Sequence, residues 1–377
     1  MYTIDIPKLE AKWKSTPPEW MVRRVQEELA PFSTKKISQE ALAKTLEQVV
    51  PVGPYARYRI VDGKIYRWGG AGPFGLDAFF RTLGRLSDYP GVPDLPNVDF
   101  ILGQKDGVPL NFDPPNYWIT PDFDDQAPIL AFARAEDAPY VVCVPDAFTI
   151  AEWSLLSREI VAHNRLNPWK RKKEQAFWRG QVNDFHRNLP PELMLADYSN
   201  QPRYRISLLS TLYPDLIDAG FNAMGAAPDY LWSALADFHK PGVSIANHLP
   251  YAYLPTLDGA MCTFPGYLWR LLSNCLVMKV PGGIQWFYAG LQPYFHYIPI
   301  RSDLSDLVEK ITWARAHDAD CQQIANTATQ FVLDHVMVED LYYYQLLVLQ
   351  EYAKYQDFDV QDFAEDVERD PQWVRIR

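Results

Sequence analysis

The sequence is poor in cysteine, and none of it is arranged to hold a metal: Cys143, Cys262, Cys275 and Cys321 form no CxxC pair. That excludes a zinc ribbon and a disulfide framework, and it suits a reducing compartment. No apolar run approaches the ~18 residues of a membrane span. The amino terminus lacks a charged segment followed by an apolar one, so a cytoplasmic location is expected. Basic residues are also in deficit, 36 against 47 acidic ones, for a net charge of −11. A non-specific nucleic-acid binder needs the opposite balance. No GxGxxG follows a strand and no Walker loop is present, which leaves dinucleotide and P-loop readings without support. The histidines show no HExxH spacing and no GxSxG elbow accompanies them. His296, inside a Tyr-Phe-His-Tyr run, reads as a core histidine rather than a base.

A chain of 377 residues, 48% of them apolar, is long enough for about two domains and buries a sizeable core. Aromatics are abundant, with 12 Trp, 22 Tyr and 19 Phe. Most serve packing, although aromatic faces beside polar groups also suit sugar rings.

The first half begins with helical patterns. Thr16-Pro17-Pro18-Glu19 resembles a capping box ahead of Met21, Val25 and Leu29. A second amphipathic helix is expected over 38–50, a hairpin over 55–68 around Asp62-Gly63, and a helix over 76–86. A short buried strand at 99–102 empties into Gly103-Gln104-Lys105-Asp106-Gly107. Residues 108–128 read as loop, 129–132 and 140–144 as strands, and 155–163 as a helix. A basic connection follows, and the domain boundary is placed there.

The second half alternates strands (176–178, 251–254, 275–280, 296–299) with helices (205–213, 268–273, 305–317, 320–335, 339–355). Such alternation implies an α/β protein with a doubly wound parallel sheet, whose ligands bind at the carboxyl ends of the strands. The segment after Gln356 is an acidic, weakly patterned tail.

Three places carry candidate chemistry. Lys173 to Gly180 reads as a strand running into a glycine turn that bears Arg179, and Arg203 and Arg205 follow where a helix starts. Guanidinium groups, bare N–H groups at glycine and a helix start make a diphosphate cradle; solvated arginines at a strand end are the competing reading. Asp106 sits in a glycine-flanked loop directly after a buried strand, where a scaffold can fix a carboxylate at a cleft. Asp122-Phe123-Asp124-Asp125 has a spacing that holds a divalent metal on a sugar nucleotide. Asp318-Ala319-Asp320 and Asp357-Phe358-Asp359 share it, as chance allows in an acidic chain.

Read in order, these blocks resemble the O-glucosyltransferase family of fungal capsule-associated proteins, animal Rumi-type enzymes and bacterial lipopolysaccharide transferases (glycosyltransferase family 90). The resemblance rests on 98–102 ahead of Asp106, on Phe177-Trp178-Arg179-Gly180, on 271–279, on Trp286-Phe287-Tyr288, on 291–300 and on 303–307. It implies a GT-B-like α/β fold, two Rossmann-like domains facing a central cleft. Residues 1–165 would form the acceptor side carrying the base, 166–355 the nucleotide-sugar side, and 356–377 the tail. It also implies a UDP-sugar donor (glucose or xylose), inversion at the anomeric carbon, and neither cofactor nor metal. Carried over by motif, Asp106 is the base. Arg179, Gly180, Gln181 and Arg205, or else Arg203, hold the donor. The family's Ser-x-Arg arginine is missing: Gly266 stands there, and Arg270 lies one helical turn on, on the same face. The expected acceptor is a glycan hydroxyl, as in lipopolysaccharide or capsule, reached without nucleic acid and with peripheral membrane contact if that acceptor is lipid-linked. Two alternatives stay open: a metal-dependent transferase built on Asp122 and Asp124, and a degenerate glycan-binding protein.

Overall fold

A computed structural model describes residues 4–49, 55–70, 75–104, 126–136, 138, 140–183, 190–225, 227–259 and 261–377. Among them the strands gather into two sheets. The first has the order β11-β2-β1-β3-β4-β5, built from β1 (Tyr55–Val61), β2 (Lys64–Trp68), β3 (Val98–Gly103), β4 (Ile129–Ala131), β5 (Val141–Cys143) and β11 (Trp373–Arg375). Its β3, β4 and β5 are parallel and fully buried, whereas β1, β2 and β11 add an antiparallel flank. Asp62 and Gly63 both take positive φ (49° and 69°), the geometry of a tight hairpin turn, which is why Asp-Gly stands between β1 and β2.

The second sheet is wholly parallel, in the order β10-β9-β8-β6-β7. It comprises β6 (Lys173–Gln181), β7 (Ile217–Ala223), β8 (Tyr251–Thr256), β9 (Leu276–Lys279) and β10 (Ile298–Pro299). The chain leaves β6 for β7 on one side and then returns to β8 on the other. β6 and β8 therefore flank the topological switch point, where an open α/β sheet leaves a crevice for ligands.

Several local expectations are corrected. Arg179 and Gly180 lie inside β6, not in a turn after it, because β7 pairs with them as Arg179↔Gly220 and Gly180↔Phe221. Gly180 is required there by its own neighbour, since an added Cβ would stand 2.4 Å from the Trp178 ring. Strand β7 escapes a pattern search because Asp218, Gly220 and Asn222 are poor strand formers. Its Gly220 leaves room for the Phe238 carbonyl, 2.6 Å from where a Cβ would be. The helix Glu19–Leu29 starts at Pro18 with no side-chain cap, so the expected capping box does not form. The acidic tail is ordered: it turns through Asp366–Arg369 and delivers β11 to the edge of the first sheet.

The two sheets are joined at their carboxyl ends. Arg134, just past β4, exchanges two backbone hydrogen bonds with Ile284, beyond β9 (3.0 and 2.8 Å). Beside this bridge Ala133 packs with Met261, Cys262 and Phe264. Glu28 secures it from the helix Glu19–Leu29, accepting from Arg134 Nε at 3.0 Å, from Arg24 at 2.7 Å and from the Cys143 amide at 2.9 Å. The helix Val338–Ala353 closes the assembly, packing on Glu19–Leu29, Ala147–Leu166 and β3.

Deep in the first sheet, Asp99 is fully buried and binds two arginines, Arg57 at 2.7 Å and Arg59 at 2.8 Å. Replacing it by alanine strands Arg57 without a counter-charge and leaves Arg59 only the half-exposed Asp366 at 3.6 Å. Asp99→Ala is expected to lower unfolding free energy by about 3–5 kcal/mol in urea titration, whereas a loss below about 1 kcal/mol would show the arginines find other partners.

Candidate functional site

The helix Pro202–Leu212 begins at the carboxyl end of β6, and its first turn carries both Arg203 and Arg205. Arg203 turns inward. It donates to the carbonyls of Gln181 (2.9 Å), Asp258 (3.1 Å) and Leu257 (3.3 Å), so it ties the end of β6 to the end of β8 across the switch point. Arg205 instead reaches the Asp303 carbonyl beyond β10 (3.1 Å) and Asn200 (3.2 Å). Its Nε is buried with no acceptor. Of the two, Arg203 is the one at the crevice, which spacing alone does not reveal.

Around Arg203 the strand ends converge. Gly259 approaches it closely: an added Cβ would lie 3.0 Å from Arg203 Nη2 and 3.5 Å from Asn183 Nδ2. Asp258 accepts from Lys279 Nζ at 2.7 Å and from Thr263 Oγ1 at 3.0 Å, which fixes the ends of β8 and β9 together. Lys279 also lines a cavity of about 210 Å³ at the seam between the sheets, with Tyr267, Tyr288, Tyr297 and, from the first sheet's side, Glu136.

Arg270 completes the cluster. It lies in the buried helix Gly266–Leu272 and is only 5% exposed. Its Nη1 donates back to the Gly266 carbonyl at 3.0 Å, and its guanidinium stacks over Trp269 at 4.2 Å. Among the described residues no carboxylate pairs with it, and its Nε has no acceptor. Burial, with Arg203 nearby, pushes its pKa down to about 9. An arginine holds its proton too firmly to answer such a field by deprotonating. Gly266 is explained by the same geometry. A Cβ there would stand 3.0 Å from Arg270 Nη1 and 2.1 Å from Thr263 Cγ2, so Arg270 already fills the space a longer residue 266 would need.

Arg179 is partly engaged within the protein, bonded to the Asp218 carboxylate at 2.9 Å and stacked over Phe177 at 4.4 Å. Gln181 ends β6, and its carbonyl is the first acceptor of Arg203. Asp106, with Lys105, and the Asp122–Asp125 cluster lie outside the described residues. The chain is described as far as Gln104, which is buried at the carboxyl end of β3 with an unpaired Nε2. The other acid pairs have structural uses: Asp318 accepts from Trp169 Nε1 at 2.8 Å, and Asp359 caps a short turn. His296 accepts the Gln292 amide at 3.0 Å and is buried, consistent with a core role.

Residues 13–374 match the model of glycosyl transferase family 90. The chain belongs to that family. This family-90 glycosyltransferase is 26% identical over 352 residues to Protein O-glucosyltransferase 1 of Bos taurus, covering 89% of this chain and 80% of that protein. It is 24% identical over 366 residues to the O-glucosyltransferase rumi of Drosophila pseudoobscura pseudoobscura, covering 89% and 78%. A solved glycosyltransferase from Rickettsia africae ESF-5 overlaps 60% of this chain and 64% of its own at 10% identity and a TM-score of 0.35, too distant to bear on the site. No helix among the described residues is long and apolar enough to cross a membrane.

His248 packs against this cluster, edge-on to Phe177 at 5.0 Å and to Trp269 at 5.2 Å. Burial and the Arg270 charge lower its pKa to about 4 from an ordinary 6.5. In the unfolded transferase it protonates first, so stability declines as pH falls from 6.5 toward 4, by about 3 kcal/mol at most. His248→Gln should flatten part of that slope in urea titrations at stepped pH. An unchanged slope would assign it to His296 and His335, whose pKa values are also lowered.

Proposed function

We propose that this transferase moves glucose or xylose from a UDP-sugar to a hydroxyl of a glycan such as lipopolysaccharide or capsule, with inversion and without a metal. The observation that carries this reading is Arg270: a buried guanidinium with no carboxylate partner among the described residues, beside Arg203 at the switch point of a parallel sheet. A diphosphate supplies the missing negative charge in a place where planar forks bind its oxygens in pairs. As UDP leaves, negative charge grows on it, and cations fixed in advance stabilise that charge without reorganising. The relatives' names, both O-glucosyltransferases, favour glucose over xylose.

Asp106 is the proposed general base. Strand β3 leads to it, and β3 is parallel to β4, whose end meets the second sheet at Arg134 and Ile284. Asp106 follows the end of β3 by three residues in the chain, and its assigned role is to take the proton of an acceptor hydroxyl attacking the anomeric carbon. Direct displacement from the face opposite UDP inverts that carbon. Arg179, Gly180 and Gln181 form the floor of the donor cradle, through the rigidity of β6 more than through free donors, and Arg205 is placed on its outer margin.

Calorimetric titration of UDP into the full chain in EDTA is expected to show micromolar binding. Arg270→Met should weaken it by roughly tenfold or more, the loss of one charge-assisted contact, while Arg205→Ala changes it less. Binding that appears only after manganese is restored would favour a metal site at Asp122 and Asp124 instead. Asp106→Asn should keep UDP affinity and lose about 10²–10⁴-fold in turnover. Wild-type turnover in that variant would remove Asp106 from the reaction, and UDP binding with no transfer by the wild type would mark a degenerate binding protein.

A further inference from the structure

The antiparallel flank of the first sheet has a roof with a gap in it. The helix Gln39–Val49 covers one part, and the tail covers another through Val360 and Val367, which pack on Val61 and Tyr66. Between them lies a cavity of about 510 Å³. Its floor is set by strand register: Trp373 pairs with Trp68, and Trp68 with Arg57, across β11, β2 and β1. Directly paired residues of antiparallel strands point to the same face with Cβ atoms about 5 Å apart, so two indoles and a guanidinium stand in one row.

The next row supports that floor. Arg59 sits under Trp373, its guanidinium 4.8 Å from the ring, and is held by Asp99 and by the Phe363 carbonyl. Trp68 is oriented by a hydrogen bond from its Nε1 to Asp370 at 3.0 Å. Arg57 is 13% exposed and its fork is fixed by Asp99 and Gln39. Asp366 stands at the rim, half exposed, 3.6 Å from Arg59. The aromatic row is thus rigid, and polar groups of both signs surround it.

We infer that this cavity is a saccharide-binding subsite that holds an outer sugar of the acceptor; the acceptor part rests on the glycan-transferase reading above. The chemistry of the lining selects the ligand. Arg57, Arg59 and Arg369 are offset by Glu47, Asp366 and Asp370, all at the cavity, with Asp99 beneath, so no net positive field draws a phosphate. A neutral pyranose offers an apolar C–H face to an indole and a rim of hydroxyls to carboxylates and guanidinium groups, which matches the row and its margin. Position agrees as well. Arg57 pairs with Ile101 and Tyr55 with Gly103, so the Arg57 end of the row lies two residues, about 7 Å, along the strands from the end of β3, with Trp68 and Trp373 one and two strands further across. The sugar held there belongs to the same acceptor whose hydroxyl is presented near Asp106. The tail, with Trp373, Asp366 and Asp370, thereby becomes part of acceptor recognition.

The test is saturation-transfer NMR on the full chain with maltotriose, cellotriose and xylotriose, without donor. At least one is expected to give a saturable signal that persists with saturating UDP. Trp373→Ala should reduce that signal at least fivefold with the thermal midpoint retained. Should that variant unfold, Asp366→Ala, at the rim, supplies the same comparison and should weaken binding severalfold. In transfer assays Trp373→Ala should raise the acceptor KM and leave the donor KM unchanged. No saturable signal from any trisaccharide, displacement by UDP, or a signal untouched by both variants overturns the inference. Transfer without binding here would leave the transferase reading standing, and binding here without transfer would do the reverse.

Discussion

Arg203 is the constraint on which the rest of the site depends. Its guanidinium spans two strands that are adjacent in space and remote in sequence, holding the carbonyls of Gln181, Leu257 and Asp258. These carbonyls end β6 and β8, and in a parallel sheet such groups have no further strand partner. Satisfying them with one planar, permanently charged fork stabilises the switch point and leaves positive charge at the mouth of the crevice. The same residue then raises the cost of burying Arg270 beside it. The bond that closes the sheet end thus also fixes a cation there.

The seam between the sheets obeys a similar logic. Carboxyl ends of the parallel strands of both sheets meet through a two-hydrogen-bond bridge, and buried carboxylates lie on each side of it. Glu28 is shared between Arg134 and Arg24, while Asp258 pairs with Lys279. Breaking one partner of such a buried pair costs far more than the pair contributes. The sheets themselves are tied by the Arg134–Ile284 backbone bridge and by one apolar cluster that runs through both.

The glycines report where backbone and side chain come unusually near. Gly180 yields to the Trp178 ring, Gly259 to Arg203 and Asn183, and Gly266 to Arg270. Each is a close approach that a Cβ would block, and two of the three adjoin a guanidinium at the crevice. At Gly266 the Thr263 methyl and the Arg270 guanidinium together occupy the space that a side chain would need.

Much of the architecture was legible in the chain alone. Hydrophobic period placed several helices and most strands within a few residues, although it found only the second half of Ala147–Leu166 and missed Ile6–Lys14, Pro191–Tyr198 and Asp229–Ala234. Asp62-Gly63 announced its hairpin, and the alternation of the second half implied a parallel sheet, because side-chain periodicity follows directly from backbone geometry. The arginines of the crevice were visible as residue types. Their division of labour was not: Arg203 and Arg205 are two positions apart, and only the packed helix shows which points at the strand ends. Strand β7 was hidden because pairing with β6 outweighs the poor propensity of Asp218, Gly220 and Asn222. The tail was hidden for the same reason, its strand existing only against β2. Local sequence determined the elements and the chemical inventory; tertiary structure decided which charges lost their partners on burial, since desolvation depends on neighbours that arrive from elsewhere in the chain.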